Sequence, residues 1–506
     1  MDIITKAVSP IFSARRREID LYDVYLSDIQ NKQLKYLLKT AKNTIWGKKH
    51  GFNDISNYNT FCDRVPLSTY EDLYPFIERM INGEKDVLWP SVVCWFAKSS
   101  GTTNASSKYI PVTKEILKKC HYRGGADVVA LYLHNNPQTH FFSKKGLILG
   151  GSHGPSAINS KAHCGDLSAV LLQNLNPLVN LVRTPRKEII LMSEWEAKLS
   201  AIVEHTWNKD VVSLSGIPSW MLVLIKSVIK RAGKEYLSDV WPNLEVFFHG
   251  GVGFDPYRTQ YEKLIPSDNM HYMETYNASE GFFGIQDDPS DSSMLLMLDY
   301  GIFYEFIPIN ENDNSFNAAA IPLEDVKVNE NYAMVISTSG GLWRYRLGDT
   351  IRFTSLFPHK FIITGRTTFF INAFGEELMV DNAEKGLSRA CEDTDAIIKA
   401  YTAAPLFLLD NGKGRHQWII EFEKPPVSIE KFVKCLDEAL QQLNSDYSAK
   451  RYKEISLQMP EIIVARENLF FDWMKKHNKY GGQHKIPSLS NNRIFIDELL
   501  NINTSS

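Results

Sequence analysis

Residues 99–108 read Ser-Ser-Gly-Thr-Thr-Asn-Ala-Ser-Ser-Lys, which places six hydroxyl side chains and one lysine within ten positions. Residues 92–97, just before this polar stretch, are rich in β-branched and aromatic side chains and predict a buried strand. A helical pattern resumes at Thr113. Strand, small polar loop and helix in this order predict an α/β unit. Hydroxyls, backbone amides and an ammonium are the donors that phosphate needs, so the loop is either a phosphate site or a flexible surface turn.

Strand and helix patterns alternate along the rest of the chain. A helical repeat runs from Leu34 to Ile45 and is expected to end at Gly47. Apolar runs predict strands at 146–149, 211–214, 244–248, 304–307, 332–337, 351–353, 418–422 and 462–465. Periodic apolar positions predict helices at 218–230, 380–390 and 429–443. We expect an α/β fold with a large N-terminal domain (1–364) of mixed sheets packed with helices plus a β-rich subdomain, and a smaller, mobile α+β C-terminal domain (365–506).

Composition narrows the class of protein. A chain of 506 residues with 44% hydrophobic and 23% charged side chains is expected to form at least two soluble domains. The formal charge of −3 gives no basic excess for nucleic acid, and no apolar run is long enough for a membrane span, so neither partner is expected. Six cysteines without close pairs predict buried free thiols, and the lack of a secretory signal favours a cytoplasmic location.

A second candidate segment is residues 275–281, Thr-Tyr-Asn-Ala-Ser-Glu-Gly. The ring of Tyr276 is suited to stacking on a flat base, and the carboxylate of Glu280 is a ligand type that Mg²⁺ prefers. The alternative is a strand-to-turn segment with a core tyrosine and an exposed glutamate.

Two further segments place a charged side chain after glycine. Residues 343–349, Trp-Arg-Tyr-Arg-Leu-Gly-Asp, end in Asp349, and one carboxylate can accept from both hydroxyls of a ribose. The alternative is a turn aspartate flanked by arginines in surface ion pairs. Residues 481–485, Gly-Gly-Gln-His-Lys, end in Lys485, which is otherwise a solvated lysine near the end of the chain.

Taken in order, these four segments resemble the adenylate-forming superfamily of acyl-CoA synthetases, luciferases and peptide-synthetase adenylation domains. The finer resemblance is to the plant auxin-responsive acyl-acid amido synthetases and their bacterial relatives. Ser-Ser-Gly-Thr-Thr at 99–103, Tyr276 to Glu280, and Tyr-Arg-Leu-Gly-Asp at 345–349 carry most of it. Weaker matches are residues 215–220, 249–251 and 481–487, so the resemblance spans nearly the whole chain.

The chain also departs from the superfamily pattern at several positions. Asn104 and Ala105 stand where glycine is usual, and no proline precedes Lys108, which leaves the role of that lysine open. Asn277 follows the tyrosine where glycine is common, and Ser488 replaces the basic residue that often follows the C-terminal proline.

The resemblance implies an ATP-dependent ligase. A small carboxylic acid would attack the α-phosphorus of ATP to give an acyl adenylate and pyrophosphate, and an amine such as an amino acid would then take the acyl group and release AMP. Catalysis of the first step would rest on positioning and charge stabilisation, with ATP and Mg²⁺ as cofactors. An acyl-CoA ligase with a thiol acceptor, or a catalytically inert nucleotide-binding relative, is the alternative; the altered loop at Asn104 and Ala105 favours the inert one.

The resemblance also assigns roles to residues. The nucleotide would be held by Ser99, Ser100, Gly101, Thr102, Thr103, Gly250, Gly251, Tyr276, Ser279, Asp349 and Arg366. Glu280 would bind Mg²⁺, and catalysis would use Thr102, Thr103 and Lys485, with rotation about a hinge near Gly365 and Arg366 delivering the lysine. Tyr122, Arg123 and Ile217 are candidates for the acyl pocket, and Arg123 is equally suited to a surface ion pair.

Overall fold

The computed structural model describes residues 3–99, 108–151, 156–175, 179, 182–192, 194–251, 254–309, 319–366, 370–371, 376, 378–407, 414–444, 447–448, 451, 457–477, 486–490 and 492–504. The chain divides into two compact units. The first unit consists of Met1–Val252, Leu264–Leu347 and Arg352–Ile362, and the second of Gly253–Lys263, Gly348–Ile351 and Ile363–Ser506. Two short segments that precede residue 364 therefore group with the second unit, which the sequence pattern did not indicate.

The strands of the described chain are, in order, β1 Trp95–Ser99, β2 Lys108–Pro111, β3 Lys145–Ile148, β4 Ser156–Ala157, β5 His163–Gly165, β6 Arg183–Thr184, β7 Val211–Gly216, β8 Val246–His249, β9 His271–Ala278, β10 Gly281–Ile285, β11 Met294–Leu296, β12 Ile302–Pro308, β13 Ile321–Pro322, β14 Asn331–Thr338, β15 Tyr345–Leu356, β16 His359–Arg366, β17 Phe370–Ile371, β18 Leu378–Met379, β19 Ile397–Phe407, β20 Gly414–Lys424 and β21 Glu461–Val464.

The α-helices of the described chain are α1 Ile3–Ile19, α2 Tyr22–Ala41, α3 Ile45–Lys49, α4 Tyr58–Arg64, α5 Tyr70–Ile81, α6 Lys114–Ile116, α7 Tyr122–Asn135, α8 Leu167–Gln173, α9 Lys187–Ile190, α10 Trp195–Thr206, α11 Pro218–Ala232, α12 Leu237–Val240, α13 Asp255–Leu264, α14 Val380–Thr394, α15 Ile429–Leu443, α16 Leu469–Lys476 and α17 Ile494–Thr504. A π-helical turn, Leu117–His121, joins α6 to α7. Short 3₁₀ helices are Phe52–Asp54, Phe141–Ser143 and Leu323–Asp325.

A twelve-stranded sheet runs through the molecule in the order β13-β12-β14-β15-β16-β11-β10-β9-β8-β7-β3-β6. At one end of this sheet, neighbouring strands among β6, β3, β7, β8 and β9 run parallel. From the β9–β10 pair to the other end of the sheet, the described pairs are antiparallel. A separate four-stranded sheet has the order β2-β1-β5-β4. The parallel end is the part of the sheet whose strand ends can form a ligand crevice.

The second unit contains a three-stranded sheet, β19-β20-β21, with helices on both faces. On β20, Trp418 packs in one cluster with Leu436 of α15, whereas the next residue, Ile419, packs in another with Trp473 of α16. Successive strand residues point to opposite faces, so this alternation builds two cores on one sheet. The predicted α+β character of the C-terminal part follows from this arrangement.

Local capping fixes the start of several helices. Thr113 accepts from the backbone N–H of Ile116 at 3.0 Å and begins α6, as the sequence pattern predicted. The prediction that the first helical repeat ends at Gly47 is wrong, because α2 ends at Ala41 and Gly47 lies inside α3. A Cβ on Gly47 would lie 2.2 Å from the carbonyl oxygen of Ala41, so this glycine permits a close backbone approach instead.

The α/β fold class is confirmed by the mixed sheets and their helical layers. All six cysteines are free, as predicted. The predicted burial holds for Cys120 and Cys164 only, since Cys94 is exposed and the other three are partly buried. Among the described residues, no helix has both the length and the apolar character that a bilayer crossing requires.

Candidate active site

The candidate site lies at the carboxyl edge of the parallel strands. In the sheet register Gly216 at the end of β7 pairs with His249 at the end of β8, and His249 pairs with Glu274 of β9. Because these strands are parallel, the segments that follow them leave the sheet at the same edge. Crevices at such edges are where ligands bind in open α/β sheets.

The glycine pair Gly250–Gly251 follows β8 in this edge. A Cβ on Gly250 would lie 2.2 Å from the carbonyl oxygen of Thr275, and Gly251 has φ +83°, so both positions favour glycine. The hydroxyl of Thr275 donates to the carbonyl of His249 at 3.1 Å. The glycine pair therefore lies against β9, the strand that carries Tyr276. Because neither glycine has a side chain, their backbone atoms are not covered by a Cβ of their own.

Tyr276 is anchored in β9 by other rings. Its ring centroid lies 4.9 Å from that of Phe283 in an edge-on arrangement and 6.1 Å from that of Phe361. Only 7% of the residue is exposed. The packing gives the ring a fixed orientation, which is the property that a base-stacking residue needs. The residue before it, Thr275, is the one whose carbonyl lies against Gly250.

Ser279 and Glu280 form the two-residue turn between β9 and β10. The closing pair of this hairpin is Ala278 with Gly281. Glu280 is only 8% exposed and Ser279 only 7%. Of the alternative, the strand-to-turn segment and the core tyrosine are confirmed, whereas the exposed glutamate is wrong. A buried carboxylate at a strand end is costly to retain unless it has a charged or hydrogen-bonding partner.

The aspartate of the third motif lies in the second unit. Asp349 is 4% exposed and belongs to β15, after Gly348 with φ +88°. The hydroxyls of Thr350 and Thr364 lie 3.0 Å apart and tie β15 to β16 beside it. The alternative of a turn aspartate in a surface hairpin is therefore wrong, because the residue is buried within a strand.

Arg344, in the same sequence motif, has a structural partner in the first unit. Its Nη2 donates to Oε1 of Glu305 at 2.8 Å, and its Nη1 donates to the carbonyl of Val65 at 2.8 Å. Both side chains are buried, which excludes the predicted surface ion pair for this arginine.

Several predicted site residues lie outside the described part of the chain. These are Ser100, Gly101, Thr102, Thr103 and Lys485. Ser99 is the last residue of β1, and Arg366, in the second unit, is the last residue of β16. For these two residues the structure describes the backbone but not the side chain. Their roles, and the cleft that Thr102, Tyr276 and Asp349 would share, stay predictions.

The candidate acyl-pocket residues lie in the first unit. The hydroxyl of Tyr122 donates to the carbonyl of Leu171 at 2.9 Å, and burial raises its pKa to about 12. Arg123 pairs with Asp299 at 2.8 Å and with Glu18 at 3.3 Å, so the structure shows the ion-pair alternative for it. Ile217 immediately precedes α11, whose first residue is Pro218.

The sequence did not indicate a buried histidine beside the motif strand. His121, 3% exposed, lies in the π-helical turn, and its Nδ1 is 3.1 Å from Oδ1 of Asn277. Burial lowers its pKa to about 4, so the ring is neutral at physiological pH. Its other nitrogen, Nε2, is buried and meets no hydrogen-bond partner among the described residues. The only sequence signal was Asn277 itself, at a position where glycine is common.

A buried lysine at the same sheet edge was also missed. Lys198 of α10 is 0% exposed, and its ammonium donates to the carbonyls of Gly150 at 3.1 Å and Gly151 at 2.5 Å, directly after β3. Burial lowers its pKa to about 8, while the charge of Asp166 opposes that shift. Nothing in the local sequence distinguishes this lysine from an exposed one.

The described residues contain no group of three or more histidine, cysteine, aspartate or glutamate side chains able to hold a metal ion. Mg²⁺ commonly binds through one or two carboxylates with substrate phosphates and water completing its shell. A site based on Glu280 alone agrees with that mode and does not require a protein cage.

Comparison with family models finds three matches that cover the chain in order. The GH3 family N-terminal domain matches residues 15–270, the GH3 family central domain matches 295–366, and the GH3 family C-terminal domain matches 381–494.

Curated relatives and solved structures agree with these matches. Indole-3-acetic acid-amido synthetase GH3.4 of Arabidopsis thaliana is 24% identical over 536 residues, covering 91% of this chain and 88% of the relative. The 4-substituted benzoates-glutamate ligase GH3.12 of the same plant is 23% identical, covering 85% and 91%. The solved GH3.15 acyl acid amido synthetase superposes with a TM-score of 0.79 at 19% identity, covering 98% and 96%. A 2-hydroxyisobutyryl-CoA ligase in its postadenylation state gives 0.59 at 10% identity, covering 94% and 92%. The structural matches concern the fold.

Proposed function

We propose a two-step reaction for this chain, which belongs to the GH3 family and is an ATP-dependent amide-forming ligase. In the first step a carboxylate oxygen of an organic acid attacks the α-phosphorus of ATP, and pyrophosphate leaves. In the second step the nitrogen of an amino acid attacks the activated carbonyl, loses its surplus protons to solvent or a base, and expels AMP. The mixed anhydride supplies the leaving group that a free carboxylate lacks.

The described residues at the sheet edge support the nucleotide half of this proposal. The backbone of Gly250 and Gly251 lines the edge of the adenine, and the fixed ring of Tyr276 packs on its face. Asp349 of the second unit accepts from the ribose hydroxyls. The loop at 99–103 binds phosphate oxygens, and Lys485 neutralises charge on the pentavalent phosphorus.

Glu280 is assigned to the metal ion in this proposal. Glu280 would hold the ion, and Mg²⁺ would supply positive charge that offsets the negative charge of the phosphates and so lowers the barrier to attack by an anionic carboxylate. A buried carboxylate is already partly desolvated, so its interaction with a cation is stronger than that of an exposed one.

The observation that carries the proposal is the hairpin turn at the parallel edge. Ser279 and Glu280 are both buried in the two-residue turn that follows β9, and β9 carries Tyr276 and lies against Gly250 through Thr275. A base-stacking ring and a buried carboxylate therefore lie within one short segment, and an open glycine backbone lies against that segment. The acyl acids and amino acids named for the plant relatives define the substrate classes to test first.

Pyrophosphate exchange tests the first step. Purified full-length protein is incubated with ATP, Mg²⁺, labelled pyrophosphate and a panel of acids that includes indole-3-acetate, 4-substituted benzoates and short aliphatic acids. We expect exchange that depends on one class of acid. Asp349→Asn is expected to reduce it about 100-fold or more, because a ribose contact is lost. Asp268→Asn, at an exposed position, is the matched control and is expected to retain full exchange.

AMP release tests the second step. With the active acid present, AMP formation should rise on addition of amino acids and not of coenzyme A. Stimulation by coenzyme A alone would instead identify an acyl-CoA ligase, the activity of the solved ligase of similar fold. ATP binding without exchange for any acid would identify an inert relative and overturn the proposal.

A further inference from the structure

The His121–Asn277 pair joins the π-helical turn to the strand that carries Tyr276. In an asparagine the oxygen only accepts hydrogen bonds, so the contact from Nδ1 of His121 to Oδ1 of Asn277 requires a proton on Nδ1. The neutral ring then has its lone pair on Nε2. This tautomer fixes which way the asparagine amide points.

The amide nitrogen of Asn277 faces away from this contact as a consequence. Within the described part of the chain, His121 is the side chain that Asn277 contacts through a hydrogen bond, and none engages its nitrogen. Asn277 is exposed, whereas Tyr276 before it and Ser279 two positions later are buried. Two N–H donors are therefore held in a set direction at an open position of the candidate site.

Asn277 lies on the opposite face of β9 from Tyr276. It pairs in the ladder with Phe282 of β10, whose backbone N–H donates to Sγ of Cys120 at 3.1 Å. The ring of Phe282 approaches Gly124 so closely that a Cβ there would lie 2.5 Å from it. This face of the hairpin, which carries Asn277, is therefore the one covered by the π-helical turn and α7.

We propose that Asn277, oriented by His121, donates a hydrogen bond to the acyl part of the adenylate, so that this chain prefers acids carrying an acceptor group such as a carbonyl beyond the reacting carboxylate. The inference rests on the proposed function. If the base occupies the Tyr276 face, the acyl group is the part of the adenylate left for the Asn277 face. A glycine at position 277 would offer no side-chain donor. Asn277 is thus a specificity residue, and His121 is a positioning residue that acts through it.

Matched acid pairs test this selectivity. In each pair a carbonyl is replaced by an isosteric methylidene group: 4-oxopentanoate with 4-methylidenepentanoate, and 4-acetylbenzoate with 4-isopropenylbenzoate, extended to every acid that supports exchange. For wild-type protein we expect kcat/KM in pyrophosphate exchange to favour the carbonyl member about tenfold, which is the effect of one hydrogen bond of ordinary strength. The difference should reside mainly in KM for the acid.

Variants separate orientation from folding. Asn277→Ala should abolish the preference, because the kcat/KM of the carbonyl acid falls toward that of its methylidene partner. His121→Phe should weaken the preference, and His121→Gln should restore it, because a glutamine amide can also donate to Oδ1 of Asn277. Asn269→Ala, at an exposed position of the same unit, is the matched control. Thermal melts of each variant show whether a lost preference reflects unfolding.

The outcomes are distinguishable from those of the proposed function. Exchange without a preference, a preference that survives Asn277→Ala, or activity confined to acids without an acceptor overturns the inference and leaves the ligase assignment intact. A preference for hydrogen-bond donors would show that the amide is oriented the other way and would also overturn it. Absence of exchange with any acid overturns the proposed function itself.

Discussion

Two buried carboxylates in the first unit illustrate different ways of retaining a charge inside a protein. Glu305 lies in the middle of β12 and is fully buried. Arg344 donates to it from Nε at 3.0 Å and from Nη2 at 2.8 Å, and the hydroxyl of Tyr58 donates at 3.0 Å. Glu280, by contrast, lies in the two-residue turn at the carboxyl end of β9.

The difference shows that burial alone does not identify a functional carboxylate. Glu305 is matched by a guanidinium within the sheet, where no ligand can reach it, so its charge serves the fold. Glu280 is buried at a strand end, where the parallel sheet opens toward a crevice. Position along the strand separates the two cases. Variants of each residue test this separation.

The largest effect is expected from Glu305→Ala. The variant leaves the guanidinium of Arg344 buried without its counter-charge, which costs about 3–5 kcal/mol of unfolding free energy. Denaturant titration followed by tryptophan fluorescence measures the change. Replacing both partners by apolar residues, Glu305→Leu with Arg344→Met, should recover part of the loss. A stable single variant would show that the buried pair contributes little to the free energy of unfolding.

The next effect is expected from Glu280→Gln. We expect pyrophosphate exchange to fall by about 100-fold or more, because the substitution removes the charge that binds Mg²⁺, with a smaller loss of stability than for Glu305→Ala. The same fluorescence titration and the exchange assay, with Mg²⁺ varied, provide both readouts. Unchanged exchange at every Mg²⁺ concentration would remove Glu280 from the metal site.

Lys198 extends the comparison to a buried charge whose hydrogen bonds go to backbone carbonyls. Its folded pKa of about 8 lies below the ordinary value of 10.5, so between these values the unfolded chain binds more protons and unfolding free energy rises with pH. The free energy of unfolding of wild-type protein should rise by up to about 3 kcal/mol relative to that of Lys198→Met as the pH increases from 8 to 10.5. Parallel curves for the two proteins across this range would show that the lysine does not titrate there.

The smallest effect is expected from Glu84→Ala. Glu84 pairs with Arg79 at 2.6 Å, and both side chains are 43% exposed. Exposed ion pairs contribute little to the free energy of unfolding, so the variant serves as the reference for Glu305→Ala in the same titration. A loss as large as that of Glu305→Ala would contradict the distinction between exposed and buried pairs.

The sequence predicts the fold best where the pattern is strongly periodic. The helix predicted at 429–443 matches α15, because Phe432, Leu436 and Leu440 recur at helical spacing and Ser428 caps its start. The long strand β19 was missed because it contains Pro405 and several alanines, which lower strand propensity. Its pairing with β20 across the chain decides the structure there.

The site is predicted only as far as its motifs extend. Tyr276, Ser279, Glu280 and the glycine pair lie in recognisable segments, and the structure brings them to one edge of the sheet. The burial of Glu280 did not follow from the segment, since burial depends on distant strands. Lys198 and His121 were missed because their partners, Gly150 and Asn277, are far away in the sequence.

The strand pairing beside the turn at Ser279–Glu280 constrains how this family member can diverge. A residue inserted within the paired part of β9 or β10 would shift the pairing of Asn277 with Phe282 and turn the side chains that follow to the opposite face. Exchange of a single side chain at position 277 leaves this register intact, so it can change specificity without disturbing the hairpin.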